Sequence, residues 1–138
     1  MSHEERRKIR VLLTISMFDE HVRGVRYIAR ELREAGMEVI FVEYRVPQDI
    51  VNSAMQEDVD VIGISSLLGG HDFVLSEVKR LLKEKNIEDK LVILGGIIPN
   101  DEIPELTKME VGVFGAGSLA IDIINYIEGK IRVNPVSS

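Results

Sequence analysis

The chain has no cysteine. That excludes a disulfide scaffold, an iron–sulfur cluster and a zinc site built on thiolates. It has no tryptophan, and aromatic residues make up only 5% of it, so a flavin ring would find little to stack on. Basic residues are in the minority: 17 Lys and Arg against 23 Asp and Glu, a net charge of −6. A nucleic-acid surface needs the opposite balance to offset phosphate charge. No apolar run approaches the ~20 residues that span a bilayer. The charged start "MSHEERRK" is not followed by the apolar segment of a signal peptide. The expectation is a cytoplasmic protein with no membrane or nucleic-acid partner. The three histidines, His3, His21 and His71, are scattered, and no pair has zinc-ligand spacing.

What is present is alternation. At 138 residues, with 45% hydrophobic and 29% charged, the chain has the size and composition of one soluble domain with a real core. "IRVLLTI" reads as a buried strand. "VRGVRYIARELREAG" sets Val25, Ile28, Ala29 and Leu32 on one helical face and stops at Gly36. "MEVIFVEY" is a second strand, and Pro47 opens a second helix, "PQDIVNSAMQED". "DVIGISSL" is a third strand. "HDFVLSEVKRLLKEKN" is a long amphipathic helix with Val74, Val78, Leu81 and Leu82 toward the core. Then follow strand "KLVILGG", short helix "DEIPELTKM", strand and turn "VGVFGAG", and helix "SLAIDIINYIEGK". Five strands alternating with five helices predict an α/β fold: a doubly wound, five-stranded parallel sheet in three α/β/α layers. The expected strand order is the flavodoxin-like (Rossmann-like) 2-1-3-4-5.

In such a sheet, ligands bind beyond the carboxyl ends of the strands, near the switch point between strands 1 and 3. The turns on that edge are "FDEHVRG", "SSLLGGH", "GGIIPN" and "FGAGS". Gly69, Gly70, Gly95, Gly96, Gly115 and Gly117 leave its rim bare of side chains, so backbone can approach a ligand closely. The ligand is not a nucleotide of the familiar kinds, because neither GxxxxGK[ST] nor a GxGxxG after strand 1 occurs. Nor is the chain a phosphoacceptor receiver domain: strand 3 ends in Ser65 and Ser66 instead of an aspartate, and the turn after strand 5 has no lysine. Asp19 and His21 lie two residues apart on the first turn. They read either as ordinary polar turn residues or as one metal ligand with its carboxylate partner. A metal served by a single protein ligand must bring the others itself, as haem or a corrin does.

The pattern Asp19-x-His21-x-x-Gly24, followed by Ser65-x-Leu67 and then Gly95-Gly96, resembles the cobalamin (B12)-binding domain of adenosylcobalamin-dependent acyl-CoA mutases. The resemblance is to the methylmalonyl-CoA mutase group and runs from about Ile9 to Ile127. It implies that His21 is the lower axial ligand to cobalt, replacing the cofactor's own base, with Asp19 as its hydrogen-bond partner. Gly24 lets the following segment pack against the corrin. The displaced base on its nucleotide tail slots between strands 1 and 3. Ser65 bonds the tail, Leu67 lines the slot, Gly95 and Gly96 make room, and Gly115, Gly117 and Ser118 lie near the tail's far end. Two places depart from the family: Glu20 stands where glycine is usual, and "TISMF" where a lysine and glycine are. A positive φ at position 20 would strain glutamate by ~1 kcal/mol. His71 reads first as a helix-start residue near the crevice.

The resemblance also implies a partner. In these mutases a (β/α)₈ barrel covers the corrin and holds the acyl-CoA. A barrel needs about 250 residues, more than this whole chain. The expected protein is a small isomerase subunit with no catalytic residue of its own, incomplete without a large barrel subunit. The expected divisions are an extension at 1–8, a cobalamin-binding domain at 9–129 and a flexible tail at 130–138. Two alternatives are a corrinoid carrier for methyl transfer, which usually has a helical cap before strand 1, and a non-catalytic cobalamin-binding or sensory module. The acyl-CoA is not named by these residues, since its determinants belong to the large subunit.

Overall fold

The computed structural model describes residues 7–17, 22–66, 71–115 and 117–131, apart from the side chains of Ser66 and His71. Five strands, β1 (Arg10–Ser16), β2 (Glu38–Tyr44), β3 (Val61–Ser66), β4 (Leu91–Gly96) and β5 (Gly112–Phe114), form one sheet. Its order is β2-β1-β3-β4-β5 with every pair parallel, as expected. Helices α1 (Val22–Glu34), α2 (Pro47–Glu57), α3 (His71–Glu84) and α4 (Ile103–Thr107) connect the strands, and α5 (Ala120–Lys130) follows β5.

The two-residue period of a strand sorts the core into two layers. Leu12, Ile62, Ile64, Val92 and Leu94 pack with Ile50, Val51 and Ala54 of α2 and Leu75, Val78, Leu81 and Leu82 of α3. Val11, Leu13, Ile15, Val61 and Ile93 pack on the other face with Val25, Ala29 and Leu32 of α1 and Ile123 and Ile127 of α5. In α3 the fully buried residue of the first turns is Leu75, and Val74 is only half-buried. Both positions suit an i, i+3, i+4 pattern, and the tilt of α3 on the sheet decides between them.

The helix ends follow from local chemistry. The Asp49 carboxylate accepts the Arg45 and Val46 backbone N–H groups at 2.9 and 3.3 Å, ahead of Pro47 in the first turn of α2. Asp122 does the same for the Leu119 N–H at 2.9 Å at the start of α5. These carboxylates meet donors that a helix start leaves without partners. Gly36 follows α1 at φ 95, and the Met37 N–H then reaches back to the Leu32 carbonyl at 3.1 Å. The third helix ends two residues before the expected Asn86, which itself takes φ 62 so that the Ile87 N–H can close on the Leu82 carbonyl at 2.9 Å. The segment after β4 starts with a 3₁₀ turn, Asn100–Glu102, before α4. The expected flexible tail falls, from residue 132 on, outside the described residues.

Charge is concentrated where the strands begin. Arg7 grips Asp60 with two parallel hydrogen bonds of 2.9 and 2.8 Å, and the Arg10 backbone N–H adds a third at 2.9 Å. The Arg10 guanidinium meanwhile bonds Glu38 at 2.9 Å and the Glu57 carbonyl at 3.0 Å. Together they tie the starts of β1, β2 and β3. Burial alone would raise the Asp60 pKa. The hydrogen bonds from Arg7 and Arg10, with the charges of Arg7 and Lys90, outweigh it and hold the carboxyl below its usual value. A depressed carboxylate stabilises the fold above its unfolded pKa and loses that contribution as pH falls through the folded value. Asp60→Asn should therefore destabilise the protein by roughly 1–2 kcal/mol at pH 7, with the gap closing below about pH 4. Urea melts of both proteins across that range check this; a gap independent of pH would mean that the carboxylate's charge does not matter there.

Candidate functional site

The parallel register lines up residues across the face that α1 and α5 cover. One row is Leu13, Gly63, Ile93 and Gly112. The next, nearer the carboxyl ends, is Ile15, Ser65, Gly95 and Phe114. In the first row Gly63 leaves a gap between Leu13 and Ile93; in the second, Ile15 and Phe114 flank a nearly bare middle of Ser65 and Gly95. On β3 the inward positions run Val61, Gly63, Ser65, so the strand loses bulk toward its carboxyl end. Helices α1 and α5 straddle this gap. Leu32 and Ile127 are both fully buried in the layer beneath it.

The result is a cleft of about 340 Å³, open at one side. That volume lies within the ~300–1,000 Å³ of small-molecule sites. Gly63, Ser65 and Gly95 form the floor; Gly24, Tyr27 and Ile28 of α1 form one wall; Phe114 and Ile123 form the other. The second wall is braced from behind. A Cβ at Gly112 would lie 2.6 Å from the Tyr126 ring, so glycine admits that ring beside β5. Tyr126 then meets Phe114 edge-on, 5.4 Å between centroids and 77° between planes. Except for the Tyr27 phenol, no described lining residue is ionisable. The Thr14 hydroxyl is fully buried and donates to the Gly63 carbonyl at 3.0 Å. The cleft offers shape, apolar surface and a Ser65 hydroxyl. Among the described lining residues there is no acid–base pair.

Gly24, Ser65, Gly95, Gly96, Gly115, Gly117 and Ser118, all expected from the sequence to surround a ligand, line this one cleft. Asp19, His21 and Leu67, with Glu20, lie outside the described residues, as does the His71 side chain at the start of α3. Among the described residues there is no cluster of three metal-ligating side chains and no helix long and apolar enough to cross a membrane. Gly96 pairs with Ser66 and has φ 128, so it borders the cleft through backbone. Gly95 is the glycine of the pair that shares the cleft-facing row with Ser65.

Several site features were not read from the sequence. Gly63 is one; its signal was a lone glycine inside a β-branched strand, which marks a close approach. Tyr27 and Phe114 are others. The rim is also less bare than the glycines suggest: Ile97 and Leu119 are each 63% exposed, Phe73 62% and Met17 40%. All four sit at or just beyond the carboxyl ends of strands.

Residues 9–125 match the family model described as the B12 binding domain. The chain belongs to that family. The 2-hydroxyisobutanoyl-CoA mutase small subunit of Aquincola tertiaricarbonis is 44% identical to it over 104 residues, covering 75% of this chain and 76% of that protein. The pivalyl-CoA mutase small subunit of Xanthobacter autotrophicus is 38% identical, covering 92% and 86%. The methylmalonyl-CoA mutase of Rhizobium meliloti is 34% identical over 83% of this chain but only 17% of its own length. These relatives are mutases or mutase subunits, hence isomerases. In fold the B12-binding chain resembles the crystal structure of a cobalamin-binding protein from Desulfitobacterium hafniense, with TM-score 0.72 at 19% identity over 91% of this chain and 60% of that one.

The two floor glycines should respond differently to substitution. A Cβ at Gly63 would come within 2.7 Å of Leu13 Cδ2, with Ile93 also in contact. Gly63→Val should cost ~1–3 kcal/mol through overpacking. At Gly95 the nearest atom to an added Cβ is the Phe114 carbonyl oxygen at 3.6 Å, an ordinary contact. Gly95→Ala should therefore leave stability within about 0.5 kcal/mol of wild type. Denaturant melts of the two variants decide it; equal losses would place both glycines in packed core.

Proposed function

We propose that this chain is the cobalamin-binding small subunit of an adenosylcobalamin-dependent acyl-CoA mutase. It holds the cofactor base-off, with His21 as the lower axial ligand to cobalt. The observation that carries the reading is the cleft at the carboxyl ends of β1, β3 and β4, bordered by Ser65, Gly95 and Gly96 of the B12-binding pattern. A space whose described lining is apolar and uncharged, floored by glycine and serine, suits a flat, neutral base. Mutase small subunits match this chain along most of both lengths, which favours a separate subunit over a methyl-carrier or sensory module.

In this reading Asp19 accepts one imidazole N–H of His21, which fixes the tautomer and directs the other nitrogen to the metal. Ser65 offers its hydroxyl to the tail, Gly95 leaves room for the base, and Leu67 borders the slot. Gly115, Gly117 and Ser118 flank the tail's far end, and Gly24 keeps the start of α1 low. Helices α1 and α5 keep water from the base. Bound adenosylcobalamin supplies the radical chemistry of carbon-skeleton rearrangement. The domain is residues 9–129, the setting is the cytoplasm, and the exposed apolar rim meets the corrin or a large barrel subunit that holds the acyl-CoA. The relatives' names point to short, branched acyl groups, and the choice among them rests with that subunit.

Ligation is tested by EPR of the cob(II)alamin complex. The expected spectrum shows hyperfine splitting from one axial nitrogen of His21, lost in His21→Ala. An unchanged splitting in the variant would sink the assignment.

The slot is tested by titration calorimetry with cobalamin and with cobinamide, which lacks the base. Gly95 is the position to fill, because valine at Gly96 would strain a positive φ. Gly95→Val should weaken cobalamin ten- to a hundredfold and spare cobinamide. Equal losses would place the base elsewhere.

A further inference from the structure

We propose that Tyr27, backed by Arg30, is the side chain by which the cleft selects a flat aromatic base. The inference rests on the cobalamin reading above and concerns a residue which that reading does not use.

Gly24, Tyr27 and Ile28 stand at i, i+3 and i+4 on α1, so they share one side of the helix. All three line the cleft. A Cβ built at Gly24 meets nothing within 4 Å, so the space one turn from the Tyr27 ring is open. Tyr27 is 47% exposed, with its ring at the cleft mouth rather than in the core. The Arg30 guanidinium lies 5.4 Å from the ring centroid and covers one face in a cation–π contact. Arg30 is itself 64% exposed and stands 3.8 Å from the Glu31 carboxylate, so it holds the ring from the solvent side. The same Tyr27 also lines the cleft, so one side chain meets both Arg30 and the cleft.

The rest of the lining explains why one ring matters. Among the described residues that line the cleft, none carries a charge to grip a base. Its floor is glycine and serine, which give contact but no π surface. The other aromatic in the lining, Phe114, belongs to the opposite wall and is engaged with Tyr126. A planar base laid on the floor between α1 and α5 therefore meets its free aromatic neighbour at Tyr27. Stacking of a base on an aromatic side chain is sequence-tolerant but demands a flat π face. A ligand without a base gains nothing from it.

The experiment compares the full chain with Tyr27→Leu and Tyr27→Phe in titration calorimetry against cobalamin and cobinamide. Tyr27→Leu should bind cobalamin about tenfold more weakly, Tyr27→Phe should bind it like wild type, and cobinamide affinity should be the same for all three. Melting temperatures of the apo-proteins should agree, since the ring is half-exposed. Unchanged cobalamin binding in Tyr27→Leu, or equal losses for both ligands, overturns the inference. Wild type that binds the two ligands equally well overturns it alone, because the base then contributes nothing in the cleft. Wild type that binds neither overturns the cobalamin reading and this inference with it.

Discussion

A parallel sheet must be covered on both faces, and here two helices cover one face of a five-stranded sheet. Helices α1 and α5 are anchored where side chains are large, over Val11, Leu13, Val61 and Ile93. Beyond that anchor β3 carries only Gly63 and Ser65 on their side, and β4 only Gly95. The helices cannot close over a floor with so little on it. On the opposite face Ile62, Ile64, Val92 and Leu94 keep large side chains and pack with α2 and α3. One layer is a backing plate and the other is a socket, and both come from the same strands read at alternate residues.

The socket's chemistry follows from what was left out of it. An uncharged lining discriminates by shape and surface, since burying an unpaired charge there would be costly. The candidate reactive pair, Asp19 and His21, falls in the sequence between β1 and α1, outside that lining. In the proposed subunit this divides labour cleanly. On the proposed reading the cleft fixes where the cofactor sits, Asp19 and His21 hold the metal, and the exposed Met17, Phe73, Ile97 and Leu119 face what lies above.

Much of this was legible in the sequence because it was periodic or punctuated. Alternating strands and helices gave the parallel α/β class, whose common order this sheet adopts, Pro47 and Gly36 marked helix ends, and the glycines at the end of β4 and after β5 marked the binding edge. Other features depend on geometry that no pattern carries. Whether Val74 or Leu75 is fully buried depends on how α3 lies on the sheet. Gly95 and Gly96 are identical in sequence, yet strand alternation gives the cleft-facing role to one and a positive φ to the other. Tyr27 looked like one more residue of an amphipathic helix until α5 was placed across from it. The fork between Arg7 and Asp60 joins residues 53 positions apart, which only the fold could bring together.

That fork and the placement of β1 also bear on how the chain yields to force. A pull arriving from the N-terminal side meets the fork and then β1, an inner strand with parallel neighbours on both flanks. The load falls on many hydrogen bonds at once, in shear. A pull from the C-terminal side meets α5, which is held to the sheet by side-chain packing, chiefly Ala120, Ile123 and Ile127, and can peel away in steps. Since Ile123 is part of a cleft wall, peeling dismantles the socket before it breaches the sheet. A ligand seated between α1 and α5 would brace the mechanically weaker end of the molecule, so that loss of cofactor and exposure to an unfolding protease become linked events.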